Sequence, residues 1–223
     1  MPSLLHIDSS PRRSSVSRQV SAEFAEAWRE AHPEGTYVYR DLAADPVPHI
    51  DDAQIEIMHR LEKTGLRDLD AVREAAVTPE EKASWAVAWP LIEELLAADT
   101  ILFGLPMYNF SVPSTFKAWF DRVLIAPLVT DPATGKGPLS GKKVVVTTAR
   151  GGAYGPGTPR QDFDYQEPYL KAALSMVALT EDLTFLHSEM TKSAHVPRLL
   201  QFQELAATSY KEAVDGARAA ATR

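Results

Sequence analysis

Residues Met107-Tyr108-Asn109-Phe110 put an amide and two aromatic rings into one short loop. An apolar run, Thr100 to Leu105, leads into Pro106, and Pro113 opens the next helix. Aromatic faces can pack on a flat ring system while Asn109 and the backbone bond its polar edge. The chemistry is that of a cradle for a flat heteroaromatic cofactor. The same residues would also serve as a hydrophobic plug over a sheet, with Asn109 making a turn. A second loop, Ser9-Ser10-Pro11-Arg12-Arg13-Ser14-Ser15-Val16-Ser17, offers five hydroxyls and two arginines just before a helix. Hydroxyls, free backbone N–H groups and the positive helix end together bind phosphate. The loop has no glycine, so it is neither a Walker A loop nor a dinucleotide turn, and a monophosphate fits it better than a pyrophosphate. By itself it also reads as a plain capped helix, with Ser14, Ser15 or Ser17 as the cap. A third loop, Ala149-Arg150-Gly151-Gly152, carries paired glycines that let backbone approach a flat ligand or adopt positive φ. An ordinary turn would use the same pair.

The remaining polar residues point to less. His49, His59, His187 and His195 have no metal-like spacing, and His6 reads as a packed strand histidine. Asp8 and Asp41 end strands and read as solvated turn carboxylates. No Gly-x-Ser-x-Gly elbow is present. The chain has no cysteine, which excludes disulfides, thiolate metal sites and thiol nucleophiles. Its net charge of -7, without a basic tract, gives no electrostatic footprint for nucleic acid or an anionic membrane. No apolar run reaches the length of a membrane span, and no export signal is evident, so a soluble cytoplasmic protein is expected.

The elements that must position these loops follow from periodicity. Leu4–Ile7, Thr36–Tyr39, Ile101–Leu105, Lys143–Thr148 and Leu183–Leu186 read as five strands. Val20, Phe24, Ala27, Trp28 and Ala31 make one helical stripe between the first two. Residues 51–77 read as one or two exposed, charged helices, a candidate lid or partner surface. Thr78-Pro79-Glu80-Glu81 is a helix start with a capping box. Pro90 lies inside that helix and predicts a kink or break. Further helices are expected over Pro113–Leu124, Tyr165–Val177 and Pro197–Ala220. With 223 residues and 45% hydrophobic composition, this makes a single α/β domain over 1–223. The economical arrangement is a flavodoxin-like, doubly wound, five-stranded parallel sheet of order 2-1-3-4-5 with helices on both faces. On pattern alone a Rossmann half fits equally well. In the first arrangement the three loops lie at the carboxyl ends of adjacent strands and converge at the topological switch point.

At this point the residues resemble a known family, the flavodoxin-like, FMN-dependent NADH:quinone and azo reductases. The resemblance runs from Leu4 to the fifth strand. It is carried by Pro106–Phe110 with Pro113-Ser114-Thr115-Phe116-Lys117 behind it, by Ser9-Ser10-Pro11-Arg12 and the following serines, and by Arg150-Gly151-Gly152. Asp41-Leu42-Ala43-Ala44-Asp45-Pro46-Val47-Pro48 matches as well. It implies a homodimer with one tightly bound FMN per subunit near the interface. Ser10 and Ser15-Val16-Ser17 would hold the phosphate. Met107, Tyr108, Asn109 and Phe110 would line the isoalloxazine, and Ala149, Arg150, Gly151 and Gly152 would close over its other edge. Two departures stand out. Ala149 occupies a position where the family often has Ser or Thr. The family's Gly-x-Thr-Phe-x-Tyr segment is replaced by Ala126-Pro127-Leu128-Val129-Thr130-Asp131, without an aromatic.

The reaction implied is hydride transfer from NADH or NADPH to the flavin, then two-electron reduction of a quinone or azo acceptor, in ping-pong order. No protein nucleophile or general base is expected. Tyr154 and Phe163 are candidates for excluding water and stacking on the acceptor. A flavodoxin-type electron carrier without NAD(P)H oxidation of its own is the alternative, and a flavin-free α/β hydrolase or signalling domain is a third reading.

Overall fold

Along three neighbouring strands, alternate side chains enter two separate cores. Leu5, Ile7, Ile101, Phe103, Val144 and Val146 point to one face, whereas Leu4, Leu102 and Val145 point to the other. This period of two, with both faces apolar, is what a parallel sheet buried between helices requires. The computed structural model describes residues 1–223. Its strands are β1 (Ser3–Asp8), β2 (Thr36–Asp41), β3 (Thr100–Pro106), β4 (Lys143–Ala149) and β5 (Asp182–Ser188). They form one parallel sheet of order β2-β1-β3-β4-β5. This is the expected flavodoxin-like order, with the switch point between β1 and β3.

The helices are α1 (Val16–Ala31), α2 (Asp52–Thr64), α3 (Leu69–Arg73), α4 (Pro79–Ala97), α5 (Ser114–Val123), α6 (Gln166–Ser175) and α7 (Gln203–Ala221). Helices α1 and α7 cover the smaller core, where Phe24, Trp28, Ala213 and Ala217 meet. Helices α2, α4, α5 and α6 cover the larger one, which holds Trp85, Ile92, Phe116 and Trp119. Leu186 of β5 lies within 2.7 Å of where a Cβ on Gly216 would be, so this glycine sets how closely α7 approaches the sheet.

Three expectations change. Helix α4 runs unbroken through Pro90. Pro90 and Ala86, whose carbonyl loses its helical donor, both face solvent, so water can satisfy that carbonyl without ending the helix. The last helix starts later, because residues 197–202 form a 3-10 segment ahead of α7. The 51–77 stretch forms two helices, α2 and α3, but is anchored rather than simply exposed: Ile57, Leu61 and Val72 are buried in the larger core. The expected cap of α4 is present. Thr78 Oγ1 accepts from the Glu81 N–H at 3.2 Å, and the Glu81 carboxylate reaches back to the Val77 N–H at 2.7 Å.

Candidate active site at the carboxyl edge of the sheet

Helix α1 begins without a side-chain cap and with no acidic residue in its first turn. Ser15, at the cap position, instead bonds Ser17, Oγ to Oγ at 3.0 Å. The positive helix end is therefore left open to a ligand. Arg18 holds the loop ahead of it, donating from Nε and Nη2 to the Ser10 carbonyl at 2.9 and 2.6 Å, and from Nη2 to Asp41 at 2.6 Å. Burial alone would raise the Asp41 carboxyl. The Arg18 hydrogen bond and the Ala43 and Ala44 amides outweigh it and hold the group below its usual range.

Beneath this loop sits Asp8, and here the reading of a solvated carboxylate is corrected. Asp8 is buried and accepts from Ser21 Oγ at 2.9 Å and from the Tyr39 hydroxyl at 3.0 Å. Gly104 on β3 makes the room, since a Cβ there would lie 1.9 Å from Asp8 Oδ1. Burial, with Asp8 nearby, pushes the Tyr37 phenol up to about 12 and the Tyr39 phenol upward too, so both remain proton donors.

The loop after β3 closes on itself. Tyr108 and Ser111 exchange two backbone hydrogen bonds of 3.0 Å. Between them Asn109 and Phe110 have φ of 48° and 70°. Asn tolerates this region, whereas a Phe there costs about 1–2 kcal/mol. The Tyr165 N–H donates to the Phe110 carbonyl at 3.2 Å, and Gln166 Nε2 donates to the Leu105 and Pro106 carbonyls at 3.3 and 3.2 Å. The start of α6 thus holds the strained turn in place. The N–H groups of Asn109, Phe110, Gly151 and Gly152 find no acceptor in the chain.

A cavity of about 570 Å³ opens among these loops. Arg12, Ser14, Ser15 and Val16 line it from the first loop, Met107, Tyr108 and Asn109 from the second, and Ala149 and Gly151 from the third. The volume falls in the range of about 300–1,000 Å³ usual for small-molecule sites. A fourth loop, after β5, adds Thr191, Lys192 and His195. The sequence reading missed these residues. The rule that ligands sit at strand carboxyl ends, applied to β5 as well, would have found them. Arg12 and Lys192 are cations, and no carboxylate lines the cavity.

The other expected residues lie close by in different roles. Ser10 and Ser17 are fully buried under the first loop, and Ser10 Oγ sits 3.5 Å from the Tyr108 hydroxyl. Phe110 turns away from the cavity toward Phe163 and Tyr154, with ring centroids 5.6 and 6.4 Å apart. Gly152 lines a neighbouring cavity. The Arg150 side chain turns inward and is 1% exposed. Its Nη1 donates to Asp164 at 2.8 Å and lies 3.6 Å from Glu189. Glu189 in turn accepts from the Tyr154 N–H at 2.8 Å. Arg150 therefore ties the 154–164 segment to the end of β5, and only its backbone takes part in the loop surface.

Residues 2–208 match the protein family described as having a flavodoxin-like fold. The chain is 44% identical over 218 residues to an FMN-dependent NADH:quinone oxidoreductase of Nocardia farcinica, covering 98% of this chain and 97% of that one. It is 46% identical over 193 residues to a protein of the same description from a Nostoc species, covering 85% and 87%. Among solved structures, an FMN-dependent NADH-azoreductase of Bacillus anthracis in complex with FMN superposes with a TM-score of 0.77 at 26% identity, covering 99% of this chain and 100% of that one. No helix of the chain is long and apolar enough to cross a membrane.

Proposed function

Because this chain belongs to the family of flavodoxin-like fold proteins, we propose that its carboxyl-edge cavity holds FMN and that the protein is an NAD(P)H-dependent reductase of quinones and azo compounds. The observation that carries this reading is the cavity itself: strand-end loops enclose it, cations and unpaired N–H groups line it, and no carboxylate does, in a chain of net charge -7. When bound, FMN supplies two-electron chemistry between a reduced nicotinamide and an acceptor. The open N-terminus of α1, the Ser14 and Ser15 hydroxyls and Arg12 suit its phosphate. The Asn109 and Gly151 amides face the same space from opposite loops and suit the polar edge of the ring. Met107 and Tyr108 supply an apolar, aromatic wall. The Tyr108–Ser111 pairing leaves the Asn109 N–H at the tip of the turn without an acceptor in its own loop.

Nothing lining the cavity pairs a nucleophile with a base, so the protein's part is to bind, orient and exclude water. A homodimer is part of the proposal. Phe110 and Phe163, 39% and 48% exposed, pack ring to ring beside the cavity, and Tyr165, 58% exposed, is joined to Phe110 through the backbone, a cluster of exposed aromatics of the kind that a second copy would cover. The test is steady-state oxidation of NADH and of NADPH by the FMN-loaded protein, with a quinone and then an azo dye as acceptor. Parallel double-reciprocal lines are expected for two half-reactions at one site, and intersecting lines would remove the ping-pong order. A carrier without its own activity would bind FMN and oxidise neither nucleotide. A protein that does not bind FMN at all would end the flavin reading.

A further inference from the structure

A second cavity, of about 670 Å³, lies between the 151–160 segment and the 190–205 loop. Arg160, Lys192 and Arg198 line it, and no carboxylate does. Asp164 and Glu189 are engaged by the buried Arg150 guanidinium, and Asp162 and Glu204, close in sequence, do not line the cavity. The three cations of the cavity belong to none of the chain's ion pairs, although acidic residues outnumber basic ones 30 to 23. Like charges gathered around one space repel each other, and an anion placed among them removes that repulsion. An apolar part of the wall is made by Met190, Leu199, Phe202 and Leu205.

The two cavities touch. Gly151 and Lys192 line both. A Cβ on Gly151 would lie 2.8 Å from Lys192 Cδ and Cε, so the lysine stem crosses directly over this glycine. The partition between the cavities is thus one flexible cation lying on a backbone with no side chain. Backbone bonds fix its base, since Met190 N–H donates to the Gly152 carbonyl at 3.1 Å and Thr191 N–H to the Arg150 carbonyl at 3.0 Å.

We propose that the second cavity is a binding site for the oxyanion-bearing, aromatic end of a substrate whose reactive end reaches the first cavity past Gly151 and Lys192. The shared chemistry is a phosphate, sulfonate or carboxylate on an aromatic body. It has two sources: the adenosine phosphate end of the nucleotide donor, or an anionic substituent on the acceptor. The link to the reactive end rests on the proposed flavin site, whereas anion binding in the second cavity does not.

Isothermal calorimetry on the full chain tests the proposal with two probes. Adenosine 2′,5′-bisphosphate against adenosine reports the donor source, and a sulfonated azo dye against its unsulfonated parent reports the acceptor source. At least one anionic probe is expected to bind about tenfold or more tightly than its neutral counterpart. That preference should shrink in 0.5 M salt and fall about tenfold in the Arg160→Gln/Arg198→Gln double variant. Salt alone does not separate this cavity from the first, which also carries cations, so if the double variant misfolds the single Arg160→Gln and Arg198→Gln variants carry the test. Equal binding of charged and neutral probes, a preference insensitive to salt, or one retained in a folded double variant would overturn the site. So would a dimer that dissociates on the double substitution while probe binding is unchanged. An FMN titration run beside it separates the two ideas: loss of FMN binding with retained probe binding removes the flavin reading alone.

Discussion

The carboxyl edge of the sheet and the 51–77 helical excursion with the residues that anchor it are both rich in polar groups, and they treat them in opposite ways. In the excursion the groups satisfy one another. Arg122, 2% exposed, donates to the Pro48 carbonyl at 3.0 Å, to Gln54 Oε1 at 2.7 Å, to Ser84 Oγ at 2.8 Å and to Asp51 at 2.9 Å. Gln54 Nε2 returns a bond to the Arg122 carbonyl at 2.8 Å. At the carboxyl edge Arg12 and Lys192 line an opening with no acid beside them, four amides lack acceptors, and Phe110 sits at a φ of 70°. A fold can retain such an edge only if other parts hold it, as Arg18, Gln166 and Arg150 do. Polar residues that complete each other mark support. Polar residues left incomplete mark the place where a ligand completes them.

The comparison breaks first at Arg122. Arg122→Ala removes a buried guanidinium from the buried Gln54 and Ser84 side chains, whereas Asp51, 46% exposed in its side chain, stays open to water. The expected loss is about 2–4 kcal/mol of folding stability, read by urea or thermal unfolding. A loss under about 1 kcal/mol would mean that the excursion is not anchored through this side chain, and the contrast would fail.

The converse substitution is Arg12→Ala combined with Lys192→Ala. Neither side chain makes a hydrogen bond or ion pair within the chain, so the folding stability of the flavin-free protein should stay within about 0.5 kcal/mol of the parent. FMN affinity should fall about 10–100-fold, or about 1.4–2.8 kcal/mol, by fluorescence titration. If stability falls and affinity does not, these cations are structural and the edge is no different from the excursion.

How far the sequence could reveal this difference varied with how local its causes are. The five strands, the loop after β3 and the α4 cap are legible, because an apolar run ending at a proline, and Thr-Pro-Glu-Glu, act within a few residues, whereas strand order is non-local and the pattern alone suits a Rossmann half equally well. The fate of Arg150 is not legible. Its sequence neighbours are Ala149 and Gly151, whereas the carboxylates that draw it inward are Asp164 just ahead of α6, Glu167 on α6 and Glu189 at the end of β5. Asp8 was misread for the same reason, since the glycine that admits its carboxylate stands on a neighbouring strand. Lys192 and His195 carry no motif. They reach the cavity because Met190 takes a φ of 56° and Thr191 bonds back to β4's loop. The charges of residues 51–77 read as exposed helices, a candidate lid or partner surface, while the buried arginine that organises them, Arg122, sits on α5.

The smallest effect expected tests the excursion's own charges. Glu81 accepts from Arg60 Nη2 at 2.6 Å and Nη1 at 2.9 Å, and from the Val77 N–H at 2.7 Å. The Arg60 hydrogen bonds, then the Val77 amide, hold its carboxyl down at about 2, from an ordinary 4.5. A carboxyl with a lowered folded-state pKa stabilises the fold above its unfolded value and loses that contribution as pH falls through the folded one. Arg60 is 37% exposed in its side chain, so water screens part of the pairing and the contribution is about 1 kcal/mol. Glu81→Gln should therefore be less stable than the parent by about that amount at pH 7, and the gap should close between pH 4.5 and 2. FMN affinity at pH 7 should be the same in both, because the charge is already spent inside the excursion. A gap that persists at pH 2 would assign the effect to lost cap geometry rather than to charge. A change in FMN affinity would mean that the excursion and the carboxyl edge are coupled, and the division drawn between them would have to be given up.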